Sequence, residues 1–352
     1  METLFMNESY AGRESLTDQR KQDHIRINLQ QDVSHLSSTG LEQYRFTHRA
    51  LPEIDLDQVD CSTTFLGHSL RAPLLISSMT GGTTEARRVN SHLAQAAQFA
   101  GIAMGLGSLR AALETPALAE TYQVRPWAPD VLLLANLGAV QLNYGYDASH
   151  CLRAIELIEA DGLILHLNAL QEALQPEGNT RWSGLLTKIE TVCRALPVPV
   201  IAKEVGWGMT GETARQLADA GVTAIDVAGA GGTSWSQVEM HRASDESNRR
   251  IAAHFHEWGI PTVESLLDVQ QAVPDLPVIA SGGLRHGLDV AKVIALGASL
   301  AGMAGPFLRA AATSPQAVTD LIDELTRTLR IAMFAVGAPD LQALRARPPE
   351  KR

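Results

Sequence analysis

The sequence predicts an α/β protein, a TIM (β/α)8 barrel with an N-terminal extension and a C-terminal helix. Eight short aliphatic runs recur between residues 72 and 303, close to the roughly 250 residues that such a barrel uses. Each run is apolar on both faces, the pattern of a parallel strand buried on both sides. Polar or glycine-rich loops and stretches of helical period separate the runs. A doubly wound sheet is the main rival, but it rarely carries so many evenly spaced units.

The elements follow in order. Residues 1–19 look like a polar arm, and 20–71 show no steady period, which suggests an extension of short helices and loops. The runs at 72–77, 101–105, 131–135, 162–166, 198–203, 224–228, 277–281 and 299–303 are the eight expected strands. Helical period marks 213–220, 263–272 and 288–296. Pro261-Thr262-Val263 is read as a helix start with Thr262 near the N-cap, where a hydroxyl can accept from free N–H groups. From Pro315 to about residue 336 a further helix should dock on the barrel, followed by a polar tail. The expected division is an extension over 1–71, the barrel over 72–312, and the helix with its tail over 313–352.

The chain has 352 residues, of which 45% are apolar, 5% aromatic and 28 glycine, enough for a large aliphatic core. Its formal charge of −10 argues against general binding to nucleic acid or a membrane surface. An anionic small molecule stays open, because screening acts over about 8 Å and a local basic cluster governs its own pocket. Cys61, Cys151 and Cys193 form no CxxC or Cys/His pattern and are expected to be buried, reduced thiols. The N-terminus lacks the apolar core of a secretory signal, and no uncharged run nears the ~20 residues of a membrane span. A cytoplasmic location is the expectation.

Chemistry in such barrels sits at the carboxyl ends of the strands. After the seventh run come Ser281, Gly282, Gly283 and Arg285, and the eighth leads into Ala304 and Gly305. Paired glycines let backbone N–H groups approach a phosphate, and an arginine adds charge. Gly229 to Thr233 offers a third glycine-rich loop after the sixth run. Lys203 ends the fifth run and can face an electron-rich ring or oxyanion, or pair with Glu204. Met79, Thr80 and Gly81 follow the first run, Ser108 and Arg110 the second, and Asn136 ends the third. That hydrogen-bonding capacity suits a large planar cofactor with a phosphate, such as FMN.

Two segments point to a second anion. Arg20, Lys21 and His24 fall within five residues, and on a helix Arg20 and His24 share a face. His166, Asn168, Gln171 and Glu172 lie directly beyond the fourth run. Glu172 is a hard oxygen ligand suited to Mg²⁺, which bridges a carboxylate to substrate phosphates and keeps several waters.

Together these segments resemble the type 2 isopentenyl-diphosphate delta-isomerases, a flavoenzyme family. The resemblance runs from Arg20 to about Phe307 and rests on R-K-x-D-H, SSMTGG, GxGSxR, HLNxxQE, KEVGxGM, GGTSW and SGGLR. It implies an FMN barrel that interconverts isopentenyl and dimethylallyl diphosphate, with the flavin reduced by NADPH or NADH. It implies FMN contacts from Met79, Thr80, Gly81, Ser108, Asn136, Lys203 and Thr233, with Gly282, Gly283, Arg285, Ala304 and Gly305 on the phosphate. Arg20, Lys21, His24, Arg110, His166 and Asn168 would hold the diphosphate, and Glu172 the Mg²⁺. Gln171, placed at the reacting carbons, and His166 are the catalytic candidates. The resemblance also implies a homo-oligomer, a tetramer or larger, and the apolar tail helix would suit an interface. One departure is Ala228, where many members carry serine. Two alternatives stay open: an FMN-dependent oxidoreductase of the α-hydroxy-acid oxidase type, and a non-catalytic flavin- or phosphate-binding barrel. The oxidase needs a His base and an Arg on the loop after the sixth strand, and that loop reads GAGGTSW.

Overall fold

In the computed structural model, which describes residues 20–352, eight parallel strands close into a barrel in sequence order. They are β1 (Leu74–Ile76), β2 (Ala103–Gly105), β3 (Leu133–Gly138) and β4 (Gly162–Leu167). The others are β5 (Val200–Glu204), β6 (Ala224–Asp226), β7 (Val278–Ser281) and β8 (Leu300–Met303). β8 returns to β1 in the register Gly302↔Leu75, which closes the ring. All eight expected runs are strands. Six of them start one or two residues later than expected, three of these just after Pro73, Pro199 and Pro277, because proline has no N–H to give the ladder. The carbonyls of these prolines still accept, from Ala301, Leu163 and Ile225 at 2.8, 2.9 and 3.1 Å.

The barrel interior is aliphatic: Leu75, Leu134, Ile164, Ile201, Ile279 and Leu300 form one buried cluster. Phe65 and Leu70 complete it from a hairpin, Thr63–Phe65 against His68–Leu70. These two side chains plug the amino-terminal end of the barrel, so the carboxyl end is left to chemistry. The hairpin belongs to the stretch in which the sequence shows no period.

Helices Thr84–Ala100, Ala148–Ile158, Gly211–Asp219, Thr262–Ala272, Gly287–Ala295 and Gly305–Thr313 pack outside the strands. Thr262 is the first helical residue and not the cap. Its hydroxyl instead donates to the Gly282 carbonyl at 2.6 Å, tying the loop after β6 to the loop after β7. Helix Pro315–Ala335 docks as expected and buries Val318, Ile322, Leu325, Leu329 and Met333. That face is buried within the chain. The tail folds back rather than trailing away: Glu350–Lys351 pairs with Tyr44–Arg45 in the extension. The arm expected over 1–19 lies outside the described residues. Among the described residues no helix is long and apolar enough to cross a membrane. The three cysteines are free thiols; Cys61 and Cys151 are buried and Cys193 is half-buried.

Candidate active site

A cavity of about 390 Å³ opens at the carboxyl end of the barrel. Every residue singled out from the sequence for cofactor, substrate or metal lines it, including Arg20 and Lys21 from the extension and Gly305 from the last loop. The helix over 20–30 brings the extension across the mouth. Asn28 meets Thr233 there at 3.4 Å, and His35 donates its backbone N–H to the Gly232 carbonyl at 2.8 Å.

At one end the loops after β6 and β7 interlock. A Cβ on Gly232 would sit 2.5 Å from the Gly283 nitrogen, and Gly282 and Gly283 have φ of +102° and +75°. These glycines therefore answer first to the packing of one loop on another, and only through it to a ligand. Arg285 is exposed, and its backbone N–H donates to Asp289 at 2.9 Å.

In the middle, Ser77 Oγ and Ser78 Oγ are buried without a partner, and both residues line the cavity. Orphaned hydroxyls cost free energy unless a ligand completes them, so this floor fits a ring with polar edges such as FMN. Lys203 approaches Asp226 at 3.5 Å and donates to the Glu204 carbonyl at 2.8 Å. Its ionic partner is thus Asp226 and not the Glu204 carboxylate, which accepts instead from the backbone of Val205, Gly206 and Trp207. Asp226 is fully buried and also accepts from Ser281 Oγ at 2.5 Å. Sequence reading passed over it as part of an apolar run. Ala228 has φ +37°, a left-handed backbone rare for alanine.

At the far end the polar groups form a network. His166 Nδ1 lies 2.6 Å from Asn136 Oδ1, and burial, then Lys203 and Arg20, holds its pKa down at about 4. It is neutral at pH 7. Arg20 reaches Gln175 at 3.4 Å, and burial followed by the Arg110 charge lowers its pKa. Lys21 donates to the Tyr122 hydroxyl and lies 3.5 Å from the Ser108 carbonyl. Arg110 is paired with Glu114 at 2.7 Å. Glu172 accepts from Asn168 Nδ2 at 3.0 Å and from the Asn179 backbone at 2.5 Å. Among the described residues no group of three or more His, Cys, Asp or Glu could hold a metal. A metal at Glu172 would take its remaining ligands from phosphate and water, which is the habit of Mg²⁺.

The residue that sequence reading missed is Glu239, 3% exposed on the helix Trp235–Arg242. Its Oε1 accepts from Gln171 Nε2 at 3.0 Å and lies 3.3 Å from His24 Nε2, while Oε2 pairs with Arg242. Burial pushes the carboxyl up, but His24, Arg242 and Gln171 outweigh it and hold Glu239 below the ordinary value. Burial lowers His24 as well, and its ring meets Trp235 edge-on at 5.0 Å. The His and Arg that an α-hydroxy-acid oxidase needs are absent from the loop after β6. His241 and Arg242 follow on the next helix, and neither lines the cavity.

The FMN-dependent dehydrogenase family matches residues 22–128 and 167–348. The isopentenyl-diphosphate delta-isomerase of Nostoc sp. is 54% identical over 341 residues, 97% of each chain. That of Rickettsia africae is 53% identical over 331 residues, 94% of this chain and 97% of the relative. The chain belongs to the isopentenyl-diphosphate delta-isomerase family. Within the wider FMN-dependent group its cofactor is FMN, as the orphaned hydroxyls and the two-ended cavity fit. Among solved structures, a mandelate oxidase mutant with a C4a-OH-FMN adduct superposes with a TM-score of 0.67 at 18% identity. That alignment covers 95% of this chain and 98% of the oxidase, a likeness of fold alone. The chain and the oxidase thus share the barrel.

Proposed function

We propose that this chain interconverts isopentenyl diphosphate and dimethylallyl diphosphate, with NADPH keeping its FMN reduced and Mg²⁺ on the diphosphate through Glu172. The observation that carries this reading is the buried Gln171–Glu239–His24 cluster beside Arg20 and Glu172, across one cavity from the glycine loops. An alkene is a weak base, so its protonation needs a dry site and stabilisation of the tertiary cation. Reduced FMN supplies an electron-rich ring and the proton donor and acceptor for that step. The side chains bind and orient. Arg20, Lys21, His24 and Arg110 attract the diphosphate, and several are needed because each charge-assisted bond contributes about 1.5–3 kcal/mol. Asn168 and Asn179 aim Glu172. Glu239 fixes the Gln171 amide beside the carbon chain. His166, neutral and held by Asn136, is a hydrogen-bonding group that adds no charge. Assembly as a homo-oligomer in the cytoplasm belongs to the same proposal.

Anaerobic incubation of FMN-loaded protein with NADPH, Mg²⁺ and isopentenyl diphosphate tests it. The expected result is the dimethylallyl isomer over many turnovers without matching NADPH consumption. Stoichiometric NADPH loss, or no isomer, would refute the reading and favour an oxidoreductase.

A further inference from the structure

Two helices begin at the glycine-loop end of the cavity, and their N-termini differ. The helix Gly287–Ala295 after β7 is closed by its own residues. His286 and Asp289 form a capping box, and Asp289 accepts from the backbone N–H of Arg285 at 2.9 Å and of His286 at 3.4 Å. A carboxylate already sits on this positive helix end, so a second anion there meets repulsion. The helix Gly305–Thr313 after β8 has no such closure. Its N-cap, Ala304, offers no side-chain cap, and no acidic residue stands in its first turn. Its free N–H groups face the cavity that Ala304 and Gly305 line. Pro306 withholds one of those donors, leaving a deficit that a side chain could make good.

Arg309 stands where that donor is needed. It lies four residues after Gly305 on the same helix face. Its Nη1 is 3.5 Å from the place a Cβ on Gly305 would take, and the residue lines the cavity. It is exposed and makes no ion pair among the described residues. We propose that Arg309 binds the FMN phosphate from the β8 side, facing Arg285 on the β7 side. The two guanidiniums then make the protein select FMN over riboflavin, which has the same ring and no phosphate. The inference rests on FMN as cofactor and not on which reaction follows, so its failure is separable from failure of the isomerase reading.

The test is titration of the flavin-free protein with FMN and, separately, riboflavin, read by quenching of flavin fluorescence, for wild type, Arg309→Ala and Arg309→Gln. A guanidinium in a charge-assisted bond predicts an FMN Kd raised about tenfold or more in both variants, with riboflavin changed less than twofold. The gap between wild type and variant should narrow as salt is added. An FMN Kd within threefold of wild type in both variants, or an equal loss for riboflavin, overturns the proposal. Because the Arg309 side chain is exposed and unpaired, both variants should fold, and retained riboflavin binding reports that directly.

Discussion

Replacing Glu239 with Gln keeps the shape of the side chain and removes its charge. The carboxylate has only donors around it: Gln171 Nε2 at 3.0 Å and His24 Nε2 at 3.3 Å on Oε1, and Arg242 on Oε2. A glutamine amide has one oxygen and one NH2 group. Whichever way it is turned, its NH2 faces a donor. If the NH2 points at Arg242, a guanidinium that still holds Glu177 at 2.8 Å loses its inner partner. If it points the other way, Gln171 and His24 both lose theirs. A buried polar group left unsatisfied costs about 1–3 kcal/mol, so Glu239→Gln should lower Tm by several degrees. In the second orientation Gln171 is freed from its place, and a comparable loss in the transition state lowers kcat about 10–100-fold. The pairing that opposes burial at His24 is also gone, so KM for the diphosphate should rise. The assay is isomerisation of isopentenyl diphosphate by FMN-loaded protein, with flavin content and Tm measured on the same sample. A variant with kcat and KM within twofold of wild type and an unchanged Tm would show that Glu239 does not position Gln171.

Glu172→Gln should raise the Mg²⁺ needed for half-maximal activity at least about tenfold, since a neutral amide replaces the carboxylate proposed to hold the ion, while FMN content stays at the wild-type level. His166 sets a pH dependence. Its folded pKa of about 4 lies below its ordinary 6.5, so between those values the unfolded chain binds more protons. Stability then rises with pH through this window and levels off above it. Tm should therefore fall as pH drops from 6.5 towards 4, and His166→Gln should remove on the order of 3 kcal/mol of the accompanying loss of stability; parallel Tm curves for both proteins would contradict the shift. Phe65→Ala should cost about 3–5 kcal/mol by emptying the barrel floor, visible in urea unfolding. FMN affinity at low temperature should not change, because the plug and the mouth are at opposite ends.

Much of this was legible in the sequence because barrel strands buried on both faces are unbroken aliphatic runs. Where the structure departs, single residues explain it. The prolines at 73, 199 and 277 delayed three strands because they can accept in the ladder and cannot donate. The hairpin that plugs the barrel was hidden by its turn. Leu66 and Gly67 both have positive φ, +49° and +82°, a geometry usually announced by Asn-Gly. The site residues next to strand ends could be read because each sits just past an apolar run. Glu239 and Asp226 could not. Glu239 lies in the polar helix segment WSQVEMHR, which reads as a solvated face. Its burial depends on Gln171 and His24, which are 68 and 215 residues away in the chain. Asp226 was masked by the apolar neighbours that make its strand recognisable. Carboxylates of this kind are identified by their partners, and the partners meet only in the folded chain.

The distribution of charge ties these features together. The chain carries −10 overall, yet the cations lining the cavity are Arg20, Lys21, Arg110, Lys203, Arg285 and Arg309, against Asp32 and Glu172 as carboxylates. Over a screening length of about 8 Å the lining outweighs the distant surface, so the mouth attracts anions to a protein that otherwise repels them. The cations are also sorted. Arg285 and Arg309 stand at the glycine loops, Lys203 is compensated by Asp226 in the middle, and Arg20, Lys21 and Arg110 gather at the Glu172 end. On the function proposed above, a molecule with one phosphate and a neutral ring would be drawn to the first end, and a diphosphate with an apolar tail to the other. Both ligands enter by the same mouth, because Phe65 and Leu70 close the opposite end. The helix over 20–30 that supplies Arg20 and Lys21 also crosses above Thr233. One segment of the extension therefore lines the Glu172 end of the cavity and also spans the loop after β6, so a change in that helix should be felt at both ends.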